Sequence, residues 1–246
     1  MPMQRLDGRG PQNLRPLSFQ VGWIPSVPGS VLVDLGRTRV LCTAVIEEGV
    51  PPFLQGSDQG WLTAEYSMLP ASTGERRGRE RGKPDGRSVE IQRLIGRSLR
   101  AVVNRKALPG RTAWVDCDVI CADGGTRTAA ISGAWIALHD ACTRLLQRSV
   151  VRAHPVTEGC AAVSVGIVDA MALLDLDYSE DVRAEVDMNI VMTGSGRFIE
   201  VQGTAEGLPF SRTELDDLLG LAEHGIASIL DAQTAVLASP PVPRSL

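Results

Sequence analysis

The sequence predicts an α+β protein of layered sheets and helices, on three observations. Segments with strand-like alternation give way to segments with apolar residues at spacings of three and four. A glycine pair, Gly124-Gly125, stands where one kind of segment passes into the other. A weak division near residue 150 leaves two halves that each run strands and then a helix. The expected organisation is an N-terminal α/β subdomain over 1–150, a second over 151–238 and a proline-rich disordered tail over 239–246. Taken in order, residues 30–35 and 38–46 flank Gly36-Arg37 as a hairpin, and 61–68 form a further strand. From Ser88, as cap, Ile91, Leu94, Ile95, Leu99, Val102 and Val103 make one buried stripe of an amphipathic helix. A strand over 114–121 leads to a helix over 129–146 with Thr126 as its N-cap. In the second half, 161–168, 172–176, 184–192 and 198–203 read as strands, with a tight turn at 193–196. Ser211-Arg-Thr-Glu214 is a capping box for a long closing helix whose inner stripe is Leu215, Leu218, Leu219, Ala222, Ile226, Ile229 and Leu230.

Composition narrows the class. With 246 residues, 43% of them hydrophobic, the chain can bury a sizeable core. No apolar run reaches 18 residues and the first residues are polar, so a cytoplasmic protein without a membrane span is expected. Five cysteines, an odd number set mostly in apolar segments, read as buried reduced thiols. Cys117 and Cys121 share a strand face but lack a nearby histidine, which makes a poor zinc site. His139, His154 and His224 are scattered with no metal spacing, and no catalytic histidine is expected.

Three stretches carry chemistry. Asp123-Gly-Gly-Thr-Arg-Thr128 lies between a strand and a helix, where unpaired backbone N–H groups and the helix dipole favour an anion, and Arg127 adds a forked donor. Standing alone, such a string is equally a plain glycine turn. Asp181 and Asp187 are the second stretch, one in a loop and the other on the strand that follows. Two hard oxygen donors converging in this way suit a magnesium-type ion, or one serves as a general acid; the rival reading is a solvated acidic rim including Asp177, Glu180 and Glu185. The third stretch is basic. Residues 75–106 hold eleven arginines and lysines against four acids, a local balance of +7 in a chain of net charge −4. Local charge decides what a surface binds once screening is counted, so a polyanion is expected there. Residues 72–86, with four glycines and no aliphatic side chain, predict a mobile basic loop carrying Arg76, Arg77, Arg79 and Arg81. Arg93 and Arg97 repeat along the helix after it, where pairing with Glu90 competes with RNA contact.

Many strings along the chain, among them Gly60-Trp-Leu-Thr-Ala-Glu-Tyr-Ser-Met-Leu-Pro70, Glu90-Ile-Gln-Arg-Leu-Ile-Gly-Arg97, Ala122-Asp-Gly-Gly-Thr-Arg-Thr128, Asp187-Met-Asn-Ile-Val-Met192 and Ile199-Glu-Val-Gln-Gly-Thr-Ala-Glu-Gly207, resemble the bacterial ribonuclease PH family. The resemblance runs from about residue 5 to about 237. It implies a ribosomal-protein-like β-α-β fold followed by a second α/β part, as in the exoribonuclease PH superfamily. It also implies a phosphorolytic 3′ exoribonuclease that trims tRNA precursors with inorganic phosphate as co-substrate, and a homohexamer built as a trimer of dimers. By the resemblance, Arg87, Gly125, Thr126 and Arg127 bind phosphate; Asp181 and Asp187 are catalytic with Arg127 and hold Mg2+ or Mn2+. The basic loop, Arg93 and Arg97 match regions lining the RNA path or the assembly interface. Asp85 before Gly86-Arg87 and the C-terminal prolines depart from the family pattern. A catalytically inactive RNA-binding ring subunit and a metal-dependent hydrolase are the rival readings.

Overall fold

The computed structural model describes residues 5–78 and 85–238. Its first sheet has five strands, β1 (Leu17–Val21), β2 (Gly29–Leu35), β3 (Thr38–Glu48), β4 (Trp61–Met68) and β5 (Arg111–Cys121), in the order β1-β2-β3-β5-β4. Only β4 and β5 run parallel, and the connection between them carries helix α1 (Gly86–Ala101), as a parallel pair requires a crossover. The second sheet is wholly antiparallel: β6 (Cys160–Val168), β7 (Met171–Leu174), β8 (Val186–Thr193) and β9 (Phe198–Ala205), in the order β7-β6-β8-β9. Helix α2 (Thr126–Gln147) lies between the sheets, packed on β2 and β3 on one side and β6 on the other. Apolar or small on nearly every face, it is buried almost throughout. Gly133 and Gly29 let it approach the first sheet, since a Cβ at either would collide with Val33 or with the Ala137 carbonyl. One core, running from Val31 and Val115 through Ile131 and Ile136 to Ile190 and Ile226, joins the two sheets.

The short helix α3 (Tyr178–Asp181) and the long α4 (Arg212–Leu237) complete the chain. α4 opens on the expected capping box, Ser211 with Glu214, and buries Leu218, Ala222, Ile226 and Ile229 against β6 and β7. Several local details differ from the sequence reading. β1 was not anticipated; with Leu17, Phe19 and Val21 on alternate positions at a sheet edge, its signal is short and half-exposed. The cap of α1 is Asp85, which accepts from the Ser88 amide at 2.6 Å, so Ser88 lies inside the helix and Arg87 in its first turn. The residue that departed from the family pattern is the one that starts the helix. The cap of α2 is Gly125, one residue before Thr126. Four of the five cysteines are buried and free; Cys121, at the end of β5, is exposed. The tail over 239–246 and the loop residues Arg79 and Arg81 lie outside the described residues. No helix among the described residues is long and apolar enough to cross a membrane.

Candidate active site

The glycine pair is built as an anion cradle. Gly124 and Gly125 take φ of +74° and +63°, which turns the chain out of β5 and aims the first turn of α2 into the open. No side chain caps that helix, so its first amides stay available. The loop is pinned from behind. Thr38 Oγ1 donates to the Gly124 carbonyl at 2.6 Å and accepts from the Asp123 amide at 2.9 Å, while Arg37 grips the Asp123 carboxylate through two nitrogens at 2.9 and 3.0 Å. Tyr66, buried in the sheet below, donates its hydroxyl to Thr126 Oγ1 at 2.8 Å. Burial pushes the Tyr66 hydroxyl above its ordinary pKa, so it remains a donor at neutral pH. The Thr126 hydroxyl, already accepting, has its own proton free for a ligand.

Gly124, Gly125, Thr126 and Arg127 open into a cavity of about 640 Å³. Arg87 lines it from the first turn of α1, and Asp181 and Asp187 line it from the opposite side. Arg76 and Arg77 stand on its rim, where the Ser72 carbonyl, bonded to the Ala122 amide at 2.8 Å, ties the root of the basic loop to the cradle. Arg127 is aimed by Glu90 at 3.2 Å and by Gln202 at 2.9 Å, and Gln202 bonds Glu90 in turn. Glu90 therefore pairs across to the cradle and not along its own helix with Arg93 or Arg97. Arg97 forms a fork with Glu200 on β9, its nearest approach 2.9 Å, and Arg93 is exposed; neither lines the cavity.

Asp181 ends α3, a single helical turn with its own capping box of Asp177 and Glu180, and is not a loop residue as the sequence suggested. Asp187 is the second residue of β8. Its carboxyl is pushed up to about 6, by burial first and then by the neighbouring charge of Asp181, against the opposing pull of Arg127 and Arg87. Burial raises Asp181 too, and Arg87, Arg127 and Arg15 pull it down. The two carboxylates thus face each other and share the same two arginines. Asn189, two residues beyond Asp187 on the same strand face, also reaches the cavity. No third His, Cys, Asp or Glu joins a metal-ligand group with them among the described residues.

What the sequence reading missed is the clamp behind the carboxylates. Arg5 meets Glu180 through Nε at 2.7 Å and Nη2 at 2.6 Å, both side chains almost wholly buried. Asp175, fully buried with φ of +56°, takes Arg15 through its amide at 2.8 Å, Nε at 2.9 Å and Nη2 at 2.6 Å. Arg15 Nη1 also donates to the Asp123 carbonyl, so one guanidinium holds both the cradle and the segment leading to Asp181. Asp175, Asp177 and Glu180 are interior anchors, which overturns the solvated acidic rim for this part of the cluster. Three arginines within residues 5–15 facing a distant Asp-Leu-Asp string carry no local period or spacing that would have paired them.

The model of the 3′ exoribonuclease family, domain 1, matches residues 13–143, and that of domain 2 matches residues 160–225. The chain is 54% identical to ribonuclease PH of Bacillus subtilis (strain 168) over 236 residues, covering 95% of this chain and 96% of that one. It is 55% identical to ribonuclease PH of Synechococcus sp. (strain CC9605) over 234 residues, 94% of each. Among solved structures, the Archaeoglobus fulgidus exosome with RNA bound to the active site superposes with a TM-score of 0.79 at 22% identity, covering 93% of this chain and 92% of that one. An archaeal exosome core gives a TM-score of 0.75 at 21% identity, with 94% and 91% covered. At such identities these two speak for the fold. With both domain models matched and relatives above half identity along nearly its whole length, the chain belongs to the 3′ exoribonuclease family, on its ribonuclease PH branch.

Proposed function

We propose that the protein is a phosphate-dependent 3′-to-5′ exoribonuclease of the cytoplasm that trims 3′ extensions of tRNA precursors and releases nucleoside diphosphates. The observation that carries this reading is the single cavity shared by Arg87, Gly125, Thr126 and Arg127 on one side and Asp181 and Asp187 on the other. Inorganic phosphate, held by the Arg87 and Arg127 guanidinium groups and the first turn of α2, attacks the last phosphodiester in line. The bond from phosphorus to the 3′ oxygen of the shortened RNA breaks, that oxygen takes a proton, and the nucleotidyl group leaves on the phosphate. Run backwards, the same step adds a nucleotide from a diphosphate. Two anions must approach each other, which is why fixed cations and amide dipoles are the main requirement. An inactive ring subunit would have no use for all five of Arg87, Thr126, Arg127, Asp181 and Asp187 around one cavity.

The carboxylate pair fits a divalent ion. Both groups are hard oxygen donors, and burial pushes both up in pKa despite the pull of Arg87 and Arg127, Asp187 further through the charge of Asp181. Mg2+ or Mn2+ held by Asp181 and Asp187 would neutralise charge on the phosphoryl oxygens as it transfers. A proton on Asp187 neutralises the same pair, and with a pKa of about 6 that carboxyl is the cavity's best-matched donor for the departing oxygen. For Arg76 and Arg77 on the rim, and for Arg79 and Arg81 beyond them, contact with the RNA backbone is proposed. A homohexameric ring, a trimer of dimers, would set several such loops around one entrance and add contacts to one strand; light scattering that gave only monomer would refute it.

The test is to incubate a tRNA bearing a short 3′ extension with the protein and magnesium, with and without phosphate. Nucleoside diphosphate released only with phosphate is expected. Monophosphate released without phosphate would make the protein a hydrolase, and RNA bound but uncut would make it an inactive subunit.

A further inference from the structure

Tyr178 is the sole aromatic side chain lining the cavity among the described residues, and it is 62% exposed. A ring this exposed, in a cavity walled mostly by charged, polar and glycine residues, is not there to fill a core. Its hydroxyl makes no hydrogen bond and its ring no aromatic contact with the described residues. Yet its backbone is among the most tightly located in the site. Tyr178 opens α3 directly after Asp177, whose side chain caps the helix, and Glu180 in the same turn is held by Arg5. The Tyr178 amide nitrogen sits against Gly124, where a Cβ would come within 2.9 Å of it. The Tyr178 backbone is therefore held beside the glycine turn and within one turn of Asp181, which places the ring at the mouth of the cavity.

We propose that the Tyr178 ring is the platform on which the base of the 3′-terminal nucleotide stacks while its phosphodiester lies between the cradle and Asp181–Asp187. Base, sugar and phosphate of one nucleotide sit side by side, so a phosphodiester lying between the cradle and the two aspartates brings its base to the cavity wall. Stacking uses the π-face that every base has, and so locates the scissile bond without choosing a sequence. That is what an enzyme removing successive nucleotides needs. Arginines on the rim hold the backbone, and the ring supplies the contact that distinguishes a terminal nucleotide from a bare phosphate. The inference rests on the exoribonuclease reading above.

The test uses the full chain and its Tyr178→Ala and Tyr178→Phe variants on a tRNA with a short 3′ extension, with intact and abasic last nucleotides. For Tyr178→Ala, KM for intact RNA should rise about 5- to 150-fold, the range carried by one stacked base, while KM for phosphate stays unchanged. Tyr178→Phe should match the wild type, because the ring and not the hydroxyl acts. On the abasic RNA the wild type should fall to the level of Tyr178→Ala. A Tyr178→Ala protein with wild-type KM for RNA, or a wild type indifferent to loss of the base, overturns the proposal. So does a Tyr178→Ala variant whose assembly breaks down by light scattering, which would make the ring a subunit contact. If the wild type released no nucleoside diphosphate, the exoribonuclease reading would fail; fluorescence anisotropy of intact against abasic RNA, across the variants, would still decide the stacking.

Discussion

Replacing Asp187 by asparagine should make the metal-free protein more stable while removing its activity. The Asp187 carboxyl stands at about 6 against an ordinary 3.8, because burial and the facing charge of Asp181 disfavour its ionised form. About two units of difference correspond to roughly 3 kcal/mol between the folded and unfolded states. The sign follows from the folded value being the higher one. The stability this carboxyl contributes when protonated is fully present below about pH 4 and is lost as pH rises through about 6. Asparagine is nearly isosteric and never ionises, so the variant escapes that loss. In urea denaturation with EDTA, Asp187→Asn should exceed the wild type by up to about 3 kcal/mol at pH 7.5, and the difference should shrink towards pH 4. Other titrating groups are common to both proteins and largely cancel. Added magnesium should restore the wild type and leave the variant unmoved. A difference that stayed constant from pH 4 to 8, or a variant less stable than the wild type at pH 7.5, would refute the uncompensated carboxylate pair on which the metal site is argued.

Arg15→Ala should lower stability by about 3–5 kcal/mol, since it strands the buried Asp175 carboxylate, and chemical denaturation will show it. Gly124→Ala puts a Cβ 2.6 Å from the Leu176 carbonyl at a φ of +74°, so it should cost about 1–3 kcal/mol of stability and raise KM for phosphate through the distorted cradle. Arg127→Ala should reduce phosphate-dependent trimming by about 10²-fold or more, with near-normal RNA binding in a gel shift; near-normal trimming would remove Arg127 from the cradle.

How much of this was legible in the sequence follows from how local each signal is. The capping box of α4 and the α1 stripe from Ile91 to Leu99 are read within one element and found where expected, whereas Val102 and Val103 lie past the last residue of α1 and β8 begins at Val186, not Ala184. The cradle was legible because Gly124-Gly125 must lie in a left-handed turn and the helix must start beside it. Its boundary was missed by one residue because a glycine in that conformation can cap without a side chain, and Thr126 looks like the better cap until Tyr66 is seen to hold it. Pairing of Glu90 with Arg93 or Arg97 along its own helix was one of two readings, yet Arg127 from α2 takes it, with Gln202 bridging from β9. The basic arm was visible as charge density alone. Charge density does not say which arginines turn inwards: Arg87 meets the cavity, whereas Arg97, ten residues on, is spent on Glu200.

The buried charges explain why such a site can persist in one place. The glycine turn leaves the first amides of α2 unpaired and the aspartate pair keeps a carboxyl pushed up to about 6, so both segments have to be held in place from outside. Arg15 holds both at once, bonding Asp175 on the carboxylate side and the Asp123 carbonyl on the cradle side. Arg5 adds Glu180 beneath Asp181. Such buried pairs contribute little net stability, because desolvation consumes most of the attraction, but breaking one is costly. That asymmetry sets geometry more than stability. The N-terminal segment, none of whose described residues lines the cavity, thereby fixes how far apart the glycine turn and the two aspartates stand.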